Sequence, residues 1–384
     1  MTRQKIFVAL GTRPEAIKLA PLILAARKTP AVETIVCNTG QHQSMAGEML
    51  SAFGIESDVD LNVMKHGQTL TDITTAILSA IEAPLRQHRP DWLVVQGDTT
   101  TSFAAALAAF YLKIPVAHVE AGLRTGDRYA PWPEEINRRL NSVLATLHFA
   151  PTAQSRANLL AEGVTPAQIE VTGNTGIDAL MHVTALLDGD SAFSDKIRDR
   201  LAAQGLDFLR LPDALSGIVI VTAHRRENFG AGIESICRAL VALGRQFPKL
   251  SFVLPVHPNP EVGGPVDRII RAAALPNVYA IKPVDYFSFA YLLKHAPVVI
   301  TDSGGLQEEA SALGKKLVVL RDVTERVELV GQPGVWVVGA DEQRIISAVV
   351  EALRAGPDGQ PAPNTIFGDG SASRQIVTAL RQRI

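Results

Sequence analysis

Short apolar runs of strand length recur along this chain, each followed by a stretch with helical spacing or a helix-start signal. Residues 6–10 lead into a helix that begins near Pro14, a residue suited to a first turn. Residues 34–36 precede a helix near 44–53, a helix over 70–88 leads into the run 93–95, and 99–111 leads into 116–119. The runs 147–149 and 169–171 close this series. After Gly173-Asn174-Thr175-Gly176 the pattern restarts with a polar helical stretch over 188–212 and the runs 218–221, 252–254, 278–281, 298–300 and 317–320. A Gly/Pro-rich segment, 356–363, sets off a final helix over about 372–383. No short repeat or low-complexity tract interrupts the alternation. Such alternation predicts parallel sheets with helices on both faces.

Length turns this pattern into two domains, because 384 residues exceed what a single core usually supports. The expected division is 1–172 rejoined by 365–384, and 173–364. The fold class is therefore α/β, with two doubly wound, Rossmann-like domains facing an interdomain cleft in which a ligand pocket is expected. A hydrophobic share of 47% and a charged share of 20% are those of an ordinary globular protein. The net charge of −2 gives no reason to expect nucleic acid or an anionic membrane as partner. Cys37 and Cys237 sit in apolar runs at no metal-binding spacing and read as buried thiols in a reducing compartment. The apolar run before Gly11 is too short for a signal peptide, and no run approaches the roughly 20 apolar residues of a membrane helix. A cytoplasmic location is expected.

Candidate chemistry gathers at the carboxyl ends of the apolar runs, where a parallel sheet brings distant residues together. Asp98 follows the run 93–95 and Glu120 the run 116–119, while Glu134 and Glu135 follow Trp132-Pro133. Each has a plainer reading. Asp98 suits a helix N-cap, Glu120 a buried pair with Arg124, and Glu134 and Glu135 a first helical turn. A metal held by Asp98, His118 and Glu120 has little support on a largely apolar strand, so no metal is expected.

The first strand-helix turn, Gly11-Thr12-Arg13-Pro14-Glu15, lacks the dinucleotide fingerprint, and the chain has no lysine-bearing phosphate loop. Arg13 and Lys18 there suit an anionic ligand or a solvated turn. In the second half His224, Arg225 and Arg226 follow a strand, and His257 follows the next one. The first three read as an anion site or as a charged surface turn, and His257 as a structural histidine or a ligand contact. Thr301-Asp302-Ser303-Gly304-Gly305 is the strongest ligand signal. A glycine turn opens a helix whose first turn is expected to carry Glu308 and Glu309, and backbone amides there can close on phosphate oxygens. Arg321 and Arg326 are expected to reach toward the same crevice, and the alternative is simply a well-capped helix.

Taken together, the motifs from Gly11-Thr12-Arg13-Pro14-Glu15-Ala16-Ile17-Lys18 to Phe367-Gly368-Asp369-Gly370 resemble the non-hydrolysing UDP-N-acetylglucosamine 2-epimerases. The resemblance implies a GT-B-like fold, a UDP-sugar substrate, no cofactor and a homodimer. It also implies interconversion of UDP-GlcNAc and UDP-ManNAc by anti elimination of UDP to 2-acetamidoglucal and readdition, feeding surface polysaccharide synthesis. Position by position it makes Asp98, Glu120, Glu134 and His224 catalytic. It assigns substrate contacts to Arg13, Lys18, Val284, Phe289, Ser303, Gly304, Gly305, Glu309 and Arg326, with Val284 standing where many relatives carry glutamine. Gln41, His42, Arg225 and His257 resemble an activator site of certain relatives, whereas Ser44 and Gly67 depart from it. Related readings are an epimerase of a modified UDP-sugar such as a diacetamido uronic acid, a GT-B glycosyltransferase, and a UDP-sugar-binding protein with a dead site. Retention of all three acids argues against the last.

Overall fold

The structure is a computed structural model, and it describes residues 3–41, 43–211, 214–356 and 359–383. Its contacts divide the chain into two compact units, Met1–Ala179 with Ile366–Ile384, and Leu180–Thr365.

The first unit runs β1 (Gln4–Leu10), α1 (Arg13–Arg27), β2 (Val32–Asn38), α2 (Gln43–Ala52), β3 (Val59–Asp60), α3 (Leu70–His88) and β4 (Trp92–Gln96). It continues with α4 (Thr100–Tyr111), β5 (Val116–Val119), α5 (Glu134–Leu144), β6 (Leu147–Ala150), α6 (Ala153–Ala161), β7 (Ile169–Val171) and α7 (Thr175–Gly189), which passes into the second unit. The strands form one sheet in the order β3-β2-β1-β4-β5-β6-β7, with every pairing parallel.

The second unit holds α8 (Ser191–Ala202), β8 (Ile218–Thr222), α9 (Ala231–Gln246), β9 (Ser251–Pro255), α10 (Pro260–Pro265), β10 (Val278–Ile281) and α11 (Tyr286–His295). After these come β11 (Val298–Thr301), α12 (Gly304–Ala312), β12 (Lys316–Val319), β13 (Val335–Val337) and α13 (Glu342–Arg354). Its sheet order is β10-β9-β8-β11-β12-β13, again parallel throughout. Two Rossmann-like α/β units are thus present, as the alternation of apolar runs predicts.

Residues Ile6–Leu10 and Val298–Ile300 are fully buried, as strands covered on both faces must be. The short strands β3 and β13 were not expected from the pattern. Their two or three residues sit at the sheet edges, too short to show a period. The polar stretch 188–212 is not one helix: α7 ends at Gly189, Asp190 caps α8, and a 3-10 turn follows at Asp207–Arg210. Pro212 lies outside the described residues.

The last helix, α14 (Ala372–Gln382), returns to the first unit and packs on α1. Asn174 N donates to Phe367 O at 2.6 Å, Ser373 N to Asp178 Oδ1 at 2.7 Å, and Gln4 Nε2 to Leu380 O at 2.9 Å.

Each sheet reverses its strand order once, between β1 and β4 in the first unit and between β8 and β11 in the second. At such a reversal the loops leave the carboxyl edge in opposite directions and open a crevice. Those four loops are 11–12, 97–99, 223–230 and 302–303, where the candidate residues concentrate.

Candidate functional site

In the first unit the chain leaves β4 through Gly97, whose φ of +65° suits glycine, and reaches Asp98. The expectation that Asp98 caps α4 is corrected: Thr99 is the N-cap, its side chain accepting from Ser102 N at 2.9 Å. That leaves the Asp98 carboxylate for Arg138, whose Nε donates to Oδ2 at 3.1 Å and whose Nη2 bonds the same oxygen. Burial pushes the Asp98 carboxyl above its ordinary range, with Arg138 opposing and Glu120 adding to the rise.

Glu120 follows β5 with φ +61°, a left-handed conformation that is uncommon for a residue with a side chain. Its carboxylate is buried and receives Lys18 Nζ at 2.7 and 2.6 Å on its two oxygens, together with Gln96 Nε2 and, at 3.4 Å, Asn174 Nδ2. Arg124 is therefore not its partner. That guanidinium is held by Glu162 at 2.6 Å and donates to Ser142 Oγ at 2.8 Å. Lys18 lies one turn into α1 and neutralises Glu120, while Arg13 is exposed at the first position of the same helix.

Glu134 and Glu135 open α5 but separate in role. Glu135 is fully buried and accepts from the backbone of Thr125 and Gly126 and from Arg138 and Arg139 at 3.1 to 3.4 Å. Glu134 is half-buried, and its Oε2 is shielded with no hydrogen-bond partner among the described residues. A shielded acceptor of this kind calls for a partner that the described residues do not supply.

Glu15 is a further carboxyl at this edge, singled out by no expectation. Its Oε2 accepts from Gly11 N at 3.0 Å, Thr12 N at 2.9 Å and Thr12 Oγ1 at 2.8 Å, while its Oε1 accepts from Thr99 Oγ1 at 2.6 Å. It thus ties the loop after β1 to the loop after β4. Burial pushes its pKa up to about 7 against these donors. The spacing Thr12-x-x-Glu15 is a capping box, which would have located it. Gln41 sits close by with its Oε1 accepting from Thr101 N at 3.1 Å and Thr101 Oγ1 at 2.8 Å, so it serves the start of α4. His42 lies outside the described residues.

In the second unit Asp302, fully buried just beyond β11, organises the loop after β8. Its Oδ2 accepts from His224 N and Arg225 N at 2.8 Å and from Asn228 Nδ2 at 3.1 Å, and its Oδ1 lies 3.3 Å from His224 Nδ1. Burial lowers the His224 pKa although Asp302 opposes it, so the ring is neutral at pH 7. His224 stacks on His257 with ring centroids 5.6 Å apart. The Arg225 Nε is shielded without a hydrogen-bond partner among the described residues.

Ser303 is the N-cap of α12 and makes no side-chain cap bond, which leaves its hydroxyl beside the open amides of the helix start. The Arg326 guanidinium lies over Gly304, where a Cβ would stand 3.1 Å from its Cζ. The acids are not in the first turn of α12, as its bounds make them the fifth and sixth helical residues. Glu308 is bound to Arg326 at 2.6 Å, whereas Glu309 is half-buried and accepts from Tyr286 Oη at 3.3 Å. Val284, just before α11, and Phe289 within it are also half-buried. Arg321 does not join this group but pairs with Glu227 at 2.7 Å.

The structure therefore brings Asp98, Glu120, Lys18 and Arg138 into one electrostatic group in the first unit. In the second it gathers His224, Arg225 and His257 at one loop and Ser303, Gly304 and Arg326 at another. Among the described residues no cluster of three or more His, Cys, Asp or Glu side chains has metal-binding geometry.

The sequence pattern of the family described as UDP-N-acetylglucosamine 2-epimerase matches residues 24–381. The Escherichia coli K12 protein named UDP-N-acetylglucosamine 2-epimerase is 47% identical over 379 residues, 98% of each chain. The crystal structure of UDP-GlcNAc 2-epimerase from Neisseria meningitidis bound to UDP-GlcNAc superposes with a TM-score of 0.87 at 44% identity, covering 99% of this chain and 100% of that one. The Methanocaldococcus jannaschii enzyme in complex with UDP-GlcNAc and UDP gives a TM-score of 0.76 at 31% identity, with 100% of both chains covered. Matches of this extent, over both parallel-sheet units and both loop clusters, show that the chain belongs to the UDP-N-acetylglucosamine 2-epimerase family.

Proposed function

We propose that this protein interconverts UDP-GlcNAc and UDP-ManNAc at C2, without a redox cofactor or metal. The observation that carries the reading, beside family membership, is the pair Asp98 and Glu120 at the carboxyl edge of one sheet, each held by its own cation. The C2 proton is not next to a carbonyl, so direct deprotonation is too costly and the leaving group must depart with it. In an anti elimination a carboxylate takes the C2 proton, the C–H pair becomes the C1–C2 double bond of 2-acetamidoglucal, and UDP leaves with the C1–O pair. Readdition reverses these steps, with the proton arriving on the other face. Asp98, Glu120 and Glu134 supply the proton traffic in this reading. The amides and hydroxyl of Ser303-Gly304-Gly305, with Arg326 and Arg13, take the diphosphate, and His224 assists there as a neutral donor. Glu309 receives the ribose hydroxyls, and Val284 and Phe289 border the uracil.

Incubation with UDP-GlcNAc in deuterated water should place deuterium at C2 and yield the manno epimer. Asp98→Asn and Glu120→Gln should each slow that exchange by at least about 100-fold. Recovery of unlabelled, unepimerised substrate from the wild-type protein would sink the reading. A panel of UDP-sugars, including a diacetamido uronic acid, identifies the preferred sugar, and a glycosyltransferase would show turnover only with an acceptor.

A homodimer in the cytoplasm completes the proposal. Phe110 and Tyr111 on α4 and Leu140 and Val143 on the adjoining α5 are large apolar side chains left exposed, and the second copy is assigned to these two helices. Among the described residues no helix is long and apolar enough to cross a membrane.

A further inference from the structure

The turn that carries Asp98 is gripped from two elements. Gly97 O accepts from His118 Nε2 at 2.7 Å and from Asn141 Nδ2 at 3.2 Å, and Asp98 O accepts from Asn137 Nδ2 at 2.9 Å. Gly97 N in turn donates to Val119 O at 2.9 Å, one residue beyond His118. On α5, residues 134, 137, 138 and 141 follow helical spacing and share a face. The helix that presents Glu134 therefore also grips the backbone that presents Asp98, and its Arg138 holds the Asp98 carboxylate.

His118 is fully buried in β5, opposite Val95 on one side and His148 on the other. Its Nε2 faces a carbonyl oxygen, which can only accept, so Nε2 carries the hydrogen. Its Nδ1 is shielded without a hydrogen-bond partner among the described residues, and a second proton there would be an unpartnered buried charge. Burial, with smaller contributions from His148, Arg124 and Arg138 nearby, accordingly pushes the His118 pKa down to about 3 against the opposing hydrogen bond to Gly97. A ring that stays neutral, with its one proton committed to a backbone carbonyl, is unsuited to act as acid or base.

We propose that His118 is a positioning residue. With Asn137 and Asn141 it clamps the Gly97–Asp98 turn, and this fixes where the Asp98 carboxylate stands relative to Glu134. The inference rests on reading Asp98 and Glu134 as proton carriers, and its test separates the two claims.

His118→Gln places an amide nitrogen near the Nε2 position and keeps the donor, whereas His118→Asn is too short to reach Gly97 O. The kcat and KM of C2 exchange should show the Gln variant within about 5-fold of wild type. The Asn variant should lose about 10- to 100-fold in kcat with KM nearly unchanged. Asn137→Leu, which removes a donor to the same turn from another element, should fall in the same direction. Amide hydrogen exchange at residues 97–99 reads the clamp without activity. It should accelerate by about tenfold or more in His118→Asn and stay at the wild-type rate in His118→Gln. A Gln variant as inactive as the Asn variant would overturn the proposal, since the imidazole itself would then be required. Unchanged amide protection in His118→Asn, or in Asn137→Leu where the histidine variant does not fold, would overturn it as well. Absence of C2 exchange in the wild-type protein would instead strike the functional reading, leaving amide protection to judge the clamp.

Discussion

Glu15 and His118 pull the pH dependence of stability in opposite directions. The Glu15 carboxyl rises from an ordinary 4.5 to about 7, so the folded protein holds that proton more tightly than the unfolded chain. Its contribution is complete below pH 4.5 and is lost as pH rises to 7, a swing of about 3 kcal/mol. His118 falls from 6.5 to about 3 and His148 to about 4, so their contribution is complete above 6.5 and is lost as pH falls. Urea midpoints of Glu15→Gln should therefore gain on wild type between pH 4.5 and 7.5, and those of His118→Gln should gain as pH drops below 6. Curves parallel to wild type would refute these assignments. Asp98 and Glu120 stand out in the sequence as acids that end apolar runs, although a helix cap and a buried ion pair would place them there as well. The partner of Glu120 is not legible there: Lys18 is 102 residues away in sequence, and only the strand order brings it there. Likewise no local signal tells Glu134 from Glu135, since their difference is the burial of one and not the other.

For the elements, the diphosphate role proposed for α12 sets helix stability against ligand grip. A Cβ on Gly305 meets nothing within 4 Å, whereas one on Gly304 runs into the Arg326 guanidinium. Gly305→Ala should thus raise helix stability by about 0.5–1 kcal/mol, seen as a higher melting temperature, while weakening UDP binding where the phosphates need the bare backbone. Gly304→Ala should weaken UDP binding without that gain, because Arg326 must move. Equal UDP affinity in both variants and wild type would remove this turn from the diphosphate assignment. The Ser-Gly-Gly signal is plain in sequence, but the place of Glu308 is not. Reaching Arg326 requires the loop after β12, whose path no periodicity records.

At the scale of the molecule, alternating strands and helices are readable because buried parallel strands are uniformly apolar. The order in which they lie is set by right-handed crossovers and by packing between distant elements, so the reversal point in each unit, where candidate residues lie, emerges only on folding. The proposed dimer belongs to this scale too. Val143→Glu with Phe110→Glu should shift sedimentation from dimer to monomer at micromolar protein, and a wild-type protein already monomeric there would remove the assignment.

The return of α14 to α1 carries a consequence for how the protein is made. Residues 180–365 are all synthesised before the first unit receives residues 366–384, so the acid-bearing half is completed only after the whole second unit has been made. A stop codon at 366 would remove the supports at Asn174, Asp178 and Gln4 together. Pulse-labelled nascent chains should therefore leave residues 1–179 open to protease until residues 366–384 have emerged, after the later-made segment has become resistant.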